Sequence, residues 1–149
     1  MRESGRSDGF YASVFEDSKI GGILRYSKGE GPDKEGTVKH AAFNLENQGF
    51  AAMDSAHAHK FSFNEAISFV VSCKDQKEID YYWERLSADP ASEQCGWLKD
   101  RYGVSWQVDP VVLDEMLRGK DPEKVARVTK AFLQNEKVRH RRSQGCLRG

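Results

Sequence analysis

The 149-residue chain is short of cysteine and proline, with three of the first and four of the second. Cys73, Cys95 and Cys146 are odd in number and share no CxxC spacing, and Cys73 sits in an apolar stretch. Small disulfide scaffolds and structural zinc sites need paired cysteines at short spacings, so this pattern argues against both. The prediction that follows is a reducing, cytoplasmic setting.

The chain also lacks a charge excess and a long apolar run. Lys plus Arg and Asp plus Glu number 23 each, which leaves no net field to attract nucleic acid or a membrane surface. No apolar stretch approaches membrane-spanning length, and residues 1–8 are polar, unlike an export signal. We therefore expect a single domain over residues 1–149 with neither nucleic acid nor membrane as a partner.

Strand-like and helix-like patterns alternate along the chain. A short helical pattern at 10–15 precedes a strand pattern at 18–26, and two strands at 37–46 and 48–54 are joined tightly at Asn47. A further strand is predicted over 66–73. Asp75, followed three residues later by Glu78, indicates the start of a helix over 76–86, since both carboxylates suit a helix N-terminus.

Two tryptophans flank the polar turn at 99–103, and each lies in a short strand pattern. The spacing predicts a hairpin that brings Trp97 and Trp106 close together on a sheet. Trp106 alternates with Val104 and Val108, which favours core packing, whereas Ser105 and Gln107 alternate onto the other side.

The order of these elements is a half-repeat. Helix, strand and hairpin occupy residues 8–56, whereas strand, helix and hairpin occupy 64–109, so the first module lacks a leading strand. Two helices are predicted within 110–138, one through Leu113 and Leu117 and one capped by Asp121 and Pro122. A basic tail follows at 139–149. The fold class predicted from this order is α+β.

Three stretches carry a family resemblance: residues 63–69, the helix around 78–84, and the hairpin over 95–107. They resemble the PhnB-like family, which is often labelled a demethylubiquinone methyltransferase domain. The family belongs to the vicinal oxygen chelate superfamily, which includes glyoxalase and bleomycin-resistance proteins. The resemblance implies paired βαβββ modules of the glyoxalase-like fold, a homodimer, and a ligand cavity in each sheet.

The resemblance also raises the question of a metal. The superfamily typically draws His and Glu ligands from the first and last strands of each module, and they hold a divalent ion for an oxygen-rich substrate. Here Gln107 stands where metal-binding relatives tend to carry Glu, and Ala66 and Ser68 occupy the strand where a His is expected. No metal ligand is therefore assigned, and a divalent metal stays an alternative cofactor. No Gly-rich loop of the kind that binds S-adenosylmethionine follows any strand, which argues against methyl transfer.

Glu65 is the candidate catalytic residue, as a general base if burial raises its pKa. The alternative is that it only begins the strand or pairs with Lys60. His57 and His59 point the same way in an extended segment and suit an anionic ligand, or else are exposed loop histidines between the modules.

The remaining candidate pocket residues are aromatic or neutral and polar. Trp97 and Trp106 offer rings on which an aromatic or quinone-like ligand can stack, with core packing as the alternative. If the Gln107 side of the sheet is the cavity, Gln107 and Ser68 would orient a ligand oxygen by hydrogen bonds.

Three functions remain open. The first is a protein that binds a small apolar or aromatic molecule in a dimer-associated cavity, and it is the working hypothesis. The second is an enzyme acting on a small oxygenated substrate with a divalent metal. The third is a truncated accessory paralogue without a working site.

Overall fold

The computed structural model describes residues 4–111, 113, 118 and 121–133. The described residues divide into two compact units, with the boundary between residues 61 and 62. The break falls between the two modules that the sequence pattern predicts, at 8–56 and 64–109. Strands and helices occur in both units, so the predicted α+β class is confirmed.

The first unit is a helix followed by a three-stranded antiparallel sheet. Its elements are α1 (Ser4–Val14), β1 (Ser18–Arg25), β2 (Val38–Leu45) and β3 (Gln48–Ala52), with strand order β1-β2-β3. Leu45 pairs with Gln48, so only Glu46 and Asn47 form the turn, and Glu46 has φ 52°. The tight join predicted at Asn47 is confirmed.

The core of the first unit lies between α1 and β2. Tyr11 and Val14 from α1 and Ala41 and Phe43 from β2 are buried. The Tyr11 ring stacks at 6.3 Å from Phe43, which itself stacks at 5.5 Å from Phe50 of β3. Apolar residues on one helical face and on alternate strand positions therefore meet, as the two periodicities require.

The edge strand β1 is exposed along nearly its whole length. Ile20, Ile23 and Leu24 are all exposed apolar side chains on it. At Gly21 an added Cβ would lie 2.9 Å from the carbonyl oxygen of Ala42, so glycine is what allows β1 to approach β2 there. An exposed apolar edge strand is a surface on which another chain can pair.

The second unit contains a mixed sheet with a crossover helix. Its elements are β4 (Phe69–Cys73), α2 (Gln76–Leu86), a short 3₁₀ turn (Pro90–Ser92), β5 (Trp97–Lys99), β6 (Ser105–Pro110) and α3 (Pro122–Leu133). Strand order is β4-β6-β5, with β4 parallel to β6 and β5 antiparallel to it. A parallel pair needs a crossover connection, and the chain between the two strands contains α2.

The start of α2 is fixed by the two carboxylates that the sequence identifies. Asp75 Oδ1 accepts a hydrogen bond from the Glu78 backbone N–H at 2.9 Å, and Glu78 Oε2 accepts one from the Lys74 N–H at 2.7 Å. Ile79, Tyr82 and Leu86 are the buried residues of the helix. Both the cap and the helix over 76–86 are confirmed.

The C-terminal predictions are only partly within the described residues. Asp121 Oδ1 accepts hydrogen bonds from the backbone N–H groups of Glu123 and Lys124, at 3.0 and 3.2 Å, so the helix cap predicted at Asp121 is confirmed. Most of the helix predicted through Leu113 and Leu117, and the tail at 139–149, lie outside the described residues. In the part of the chain that the structure describes, none of the helices combines the length and hydropathy needed to cross a membrane.

Candidate functional site

The second sheet has two chemically different faces. Trp97 of β5 pairs with Gln107 of β6, and Leu98 pairs with Trp106. Because side chains alternate along a strand, residues 105, 107 and 109 share one face and 106, 108 and 110 share the other. We call the first the polar face; its members are Val70 and Ser72 of β4, Trp97 and Lys99 of β5, and Ser105, Gln107 and Asp109 of β6.

The opposite face is the core of the unit. Val71 and Cys73 of β4 and Trp106 and Val108 of β6 are buried, and α2 packs against these two strands. Burial raises the pKa of the Cys73 thiol to about 12, with Glu78 and Asp109 adding to the effect. A thiol with so high a pKa is not a nucleophile near neutral pH.

Trp97 and Trp106 therefore lie on opposite faces of the sheet. A single stacking surface made from both rings, one of the possibilities raised by the sequence, is not formed. Trp106 is only 4% exposed, and its indole N–H donates to Asp100 Oδ2 at 2.8 Å. Trp97 is half-buried on the polar face beside Gln107.

Asp100 organises the turn between the two tryptophans. It is 3% exposed, and its Oδ1 accepts hydrogen bonds from the backbone N–H groups of Tyr102 and Val104, at 2.8 and 3.0 Å. With the bond from Trp106, one carboxylate satisfies three donors of the hairpin. The sequence pattern puts Asp100 in the polar turn, but this role depends on contacts that the pattern does not specify.

Gln107 and Ser68 meet on the polar face. The Gln107 amide Nε2 donates to Ser68 Oγ at 2.7 Å, although the two residues are 39 positions apart. Both side chains are half-buried, so the pair is within reach of a ligand. The structure thus brings together three of the predicted pocket residues, Ser68, Trp97 and Gln107.

Glu65 pairs with Lys99 rather than with Lys60. The Lys99 ammonium donates to Glu65 Oε1, and this contact lowers the pKa of the Glu65 carboxyl. Glu65 is exposed, so the rise in pKa that a buried general base would show is absent. At neutral pH Glu65 is an ionised partner of Lys99 at the polar face.

His57 and His59 belong to the first unit, in the irregular segment after β3. Both are exposed. Ser55 Oγ lies 2.8 Å from His59 Nε2, and the His59 ring stacks on Phe61 at a centroid distance of 4.6 Å. The segment is not a strand, so strand alternation does not set the direction of these two side chains.

Asp109 is a polar-face residue that the sequence analysis does not select. Its Oδ1 is buried and has no hydrogen-bond partner among the described residues. Burial raises the pKa of this carboxyl to about 6. Strand alternation alone indicates its place, because Asp109 follows Ser105 and Gln107 at every second position on the same face of β6. Ser105 is 2% exposed, and its Oγ likewise has no partner within the described ranges.

The raised pKa of Asp109 predicts a dependence of stability on pH. Folding favours the protonated form, so the folded state binds more protons than the unfolded state between about pH 4 and 6, and the free energy of unfolding falls as pH rises through that window. A shift of about two pKa units corresponds to at most about 3 kcal/mol, reduced by partial solvent access. We expect the free energy of unfolding of Asp109→Asn, measured by urea denaturation at pH 7.5, to exceed that of the wild type by about 1–2 kcal/mol. The difference should shrink at pH 4.5.

The control for this prediction is Asp17→Asn, which removes an exposed carboxylate of the first unit. Its stability relative to the wild type should change little between the two pH values. An Asp109→Asn variant whose stability tracks the wild type at both pH values would contradict the burial of this carboxyl.

The described residues do not fit a metal centre. Nowhere in the described ranges do three or more His, Cys, Asp or Glu side chains form a group that could hold an ion. The Gln107 amide N–H is directed at Ser68.

Comparison with known proteins places the chain in a family. The family model described as 3-demethylubiquinone-9 3-methyltransferase matches residues 2–109. The chain belongs to this PhnB-like family. A solved structure described as a putative 3-demethylubiquinone-9 3-methyltransferase, PhnB protein, from Bacillus cereus is 40% identical, with a TM-score of 0.63. The match covers 72% of this chain and 91% of that one.

A second solved structure, a protein from Staphylococcus aureus, is 26% identical, with a TM-score of 0.31 over 72% of this chain and 86% of that one. A search of curated proteins gave no match. The PhnB-like match over residues 2–109 contains every candidate site residue named above, from His57 to Asp109. The site therefore lies in the part of the chain that carries the family likeness.

Proposed function

We propose that this PhnB-like protein binds a small apolar or aromatic molecule at the polar face of its second unit. The observation that carries the proposal is the Gln107–Ser68 hydrogen bond next to Trp97. A half-buried indole supplies a flat apolar surface, and a neutral amide–hydroxyl pair supplies hydrogen bonds that fix a ligand oxygen. Apolar surface with a few convergent polar groups is the usual composition of a small-molecule site.

We further propose that the binding form is a homodimer. Large apolar side chains are exposed in both units of the isolated chain. They include Ile20, Ile23 and Leu24 on β1, Met53 and Phe61 later in the first unit, and Phe63, Ile67, Phe69 and Val70 in the second. Exposed apolar surface of this kind is typical of a protein interaction site, and a second copy is the partner that the family resemblance implies. We also propose a reducing, cytoplasmic setting, which the free, buried thiol of Cys73 suits.

Gln107→Leu tests the binding site. The substitution keeps the side-chain volume similar and removes the amide that holds Ser68. We expect it to weaken the binding of indole, used as a neutral aromatic probe, by about tenfold, which corresponds to the loss of one good hydrogen bond. The measurement is a titration followed by the backbone amide NMR shifts of residues 68, 97 and 107.

Gln48→Leu is the matched control, because Gln48 is exposed in the hairpin of the first unit. Its indole affinity should equal that of the wild type. Equal affinities in all three proteins, or shifts confined to residues away from the polar face, would refute the proposed site. The roles predicted for His57, His59, Glu65 and Trp106 in ligand binding or catalysis stay predictions.

A further inference from the structure

Asp109 presents an incompletely paired carboxylate on the polar face. It lies two residues beyond Gln107 on β6, at a separation of roughly 6–7 Å along the strand. Its Oδ1 is packed against Gly96, where an added Cβ would lie only 2.5 Å away, and finds no hydrogen-bond partner among the described residues. The residue as a whole is half-buried, so part of it is open to solvent. A buried oxygen of a charged group without a donor is costly.

The charges around Asp109 do not compensate it. Lys99, on the same face, pairs with Glu65, and the Lys74 ammonium lies 3.7 Å from Glu78 at the start of α2. The acidic groups Asp75 and Glu78 act together with Asp109 on the Cys73 thiol, which shows that the end of β4 is an acidic region. Among the described residues, the lysines of this sheet are thus committed to other carboxylates.

A cationic ligand group would complete this arrangement. With a pKa of about 6, Asp109 is largely ionised near pH 7, and a protonated amine would offer it both charge and a hydrogen-bond donor. Trp97 lies on the same face, one strand over, and its ring can pack on an aromatic group. Trp97 pairs with Gln107, so Asp109 is a diagonal neighbour of Trp97 at about 7–8 Å, within reach of a ligand with a two-carbon linker between its ring and its amine.

We infer that the ligand of the polar face is an aromatic amine whose protonated nitrogen meets the Asp109 carboxylate while its ring lies against Trp97. This inference rests on the proposed function, because it names the chemical class bound at the same site. Gly96 contributes by leaving room for the Asp109 carboxylate between β5 and β6.

The experiment compares phenethylamine with phenethyl alcohol, which has the same ring and linker but no charge. Each is titrated near pH 7 into the wild type, Asp109→Asn and the control Asp17→Asn, followed by the backbone amide NMR shifts of residues 97 and 107–109. The wild type and Asp17→Asn should bind the amine at least about tenfold more tightly than the alcohol. Asp109→Asn should bind the two equally, with its alcohol affinity unchanged.

The same two affinities are also measured at lower pH. At about pH 5 Asp109 is mostly protonated, so the amine should lose most of its advantage in the wild type while the alcohol binds as before. If the alcohol binds at the polar face as tightly as the amine in the wild type, the inference is overturned and the proposed function stands. If neither compound shifts the amides of the polar face, both are overturned.

Discussion

Replacing Asp100 by alanine is expected to lower the free energy of unfolding by about 3–5 kcal/mol. The carboxylate is buried and accepts hydrogen bonds from the backbone of Tyr102 and Val104 and from the Trp106 indole. Its removal leaves three donors of the hairpin without their acceptor, and each buried unsatisfied donor costs about 1–3 kcal/mol, reduced where water can reach it. The midpoint of urea unfolding, followed by far-UV circular dichroism, measures the loss.

Two further variants separate the loss of the Asp100 hydrogen bonds from general effects of substitution. Trp106→Phe keeps an aromatic ring and removes one of the three donors, so a smaller loss of about 1–2 kcal/mol is expected. Glu84→Ala removes an exposed carboxylate of α2 and should change stability by no more than about 0.5 kcal/mol. An Asp100→Ala protein as stable as Glu84→Ala would show that the turn does not depend on the carboxylate.

Gly96→Ala is expected to cost about 2–4 kcal/mol, clearly more than Gly103→Ala. Both glycines have φ 82°, which alone costs an L-residue about 1–2 kcal/mol. At Gly103 an added Cβ meets nothing within 4 Å, whereas at Gly96 it would lie 2.5 Å from Asp109 Oδ1 and 3.5 Å from the Val108 carbonyl oxygen. The difference between the two variants in urea unfolding therefore isolates the clash from the backbone strain.

The double variant Gly96→Ala/Asp109→Ala completes this comparison. The double variant removes the carboxylate that the new Cβ would meet. Its free energy of unfolding should therefore be higher, by about 1 kcal/mol or more, than the value obtained by adding the changes of the two single variants to the wild type. Additive effects of the two substitutions would contradict the close packing of Asp109 on Gly96.

Local sequence signals predict the elements of this fold well. The helix at 76–86 follows from the Asp75 and Glu78 carboxylates, and the hairpin at Asn47 from a turn residue between two apolar patterns, because capping and turn formation depend on near neighbours. The family likeness in residues 63–107 adds the module order. These features need no information about distant contacts.

The chemistry of the polar face depends on such contacts. Trp97 and Trp106 occupy opposite faces because the pairing register places Trp97 opposite Gln107, and a shift of one residue would reverse this. Glu65 finds Lys99 across 34 positions, which no local pattern specifies. The Gln107–Ser68 contact agrees with the alternation that puts both on one side of the sheet, whereas the burial of Asp109 on that side depends on the packing of Gly96, which the alternation does not specify.

The central claim is that this PhnB-like chain binds a small molecule as a homodimer, and a native mass spectrum after gentle purification tests it most directly. We expect a species of twice the 16.9 kDa chain mass, with additional mass from a bound organic molecule. Denaturing the protein should release that molecule. A retained divalent metal would instead support the enzyme alternative. A bare monomer, with neither ligand nor partner copy, would contradict the account.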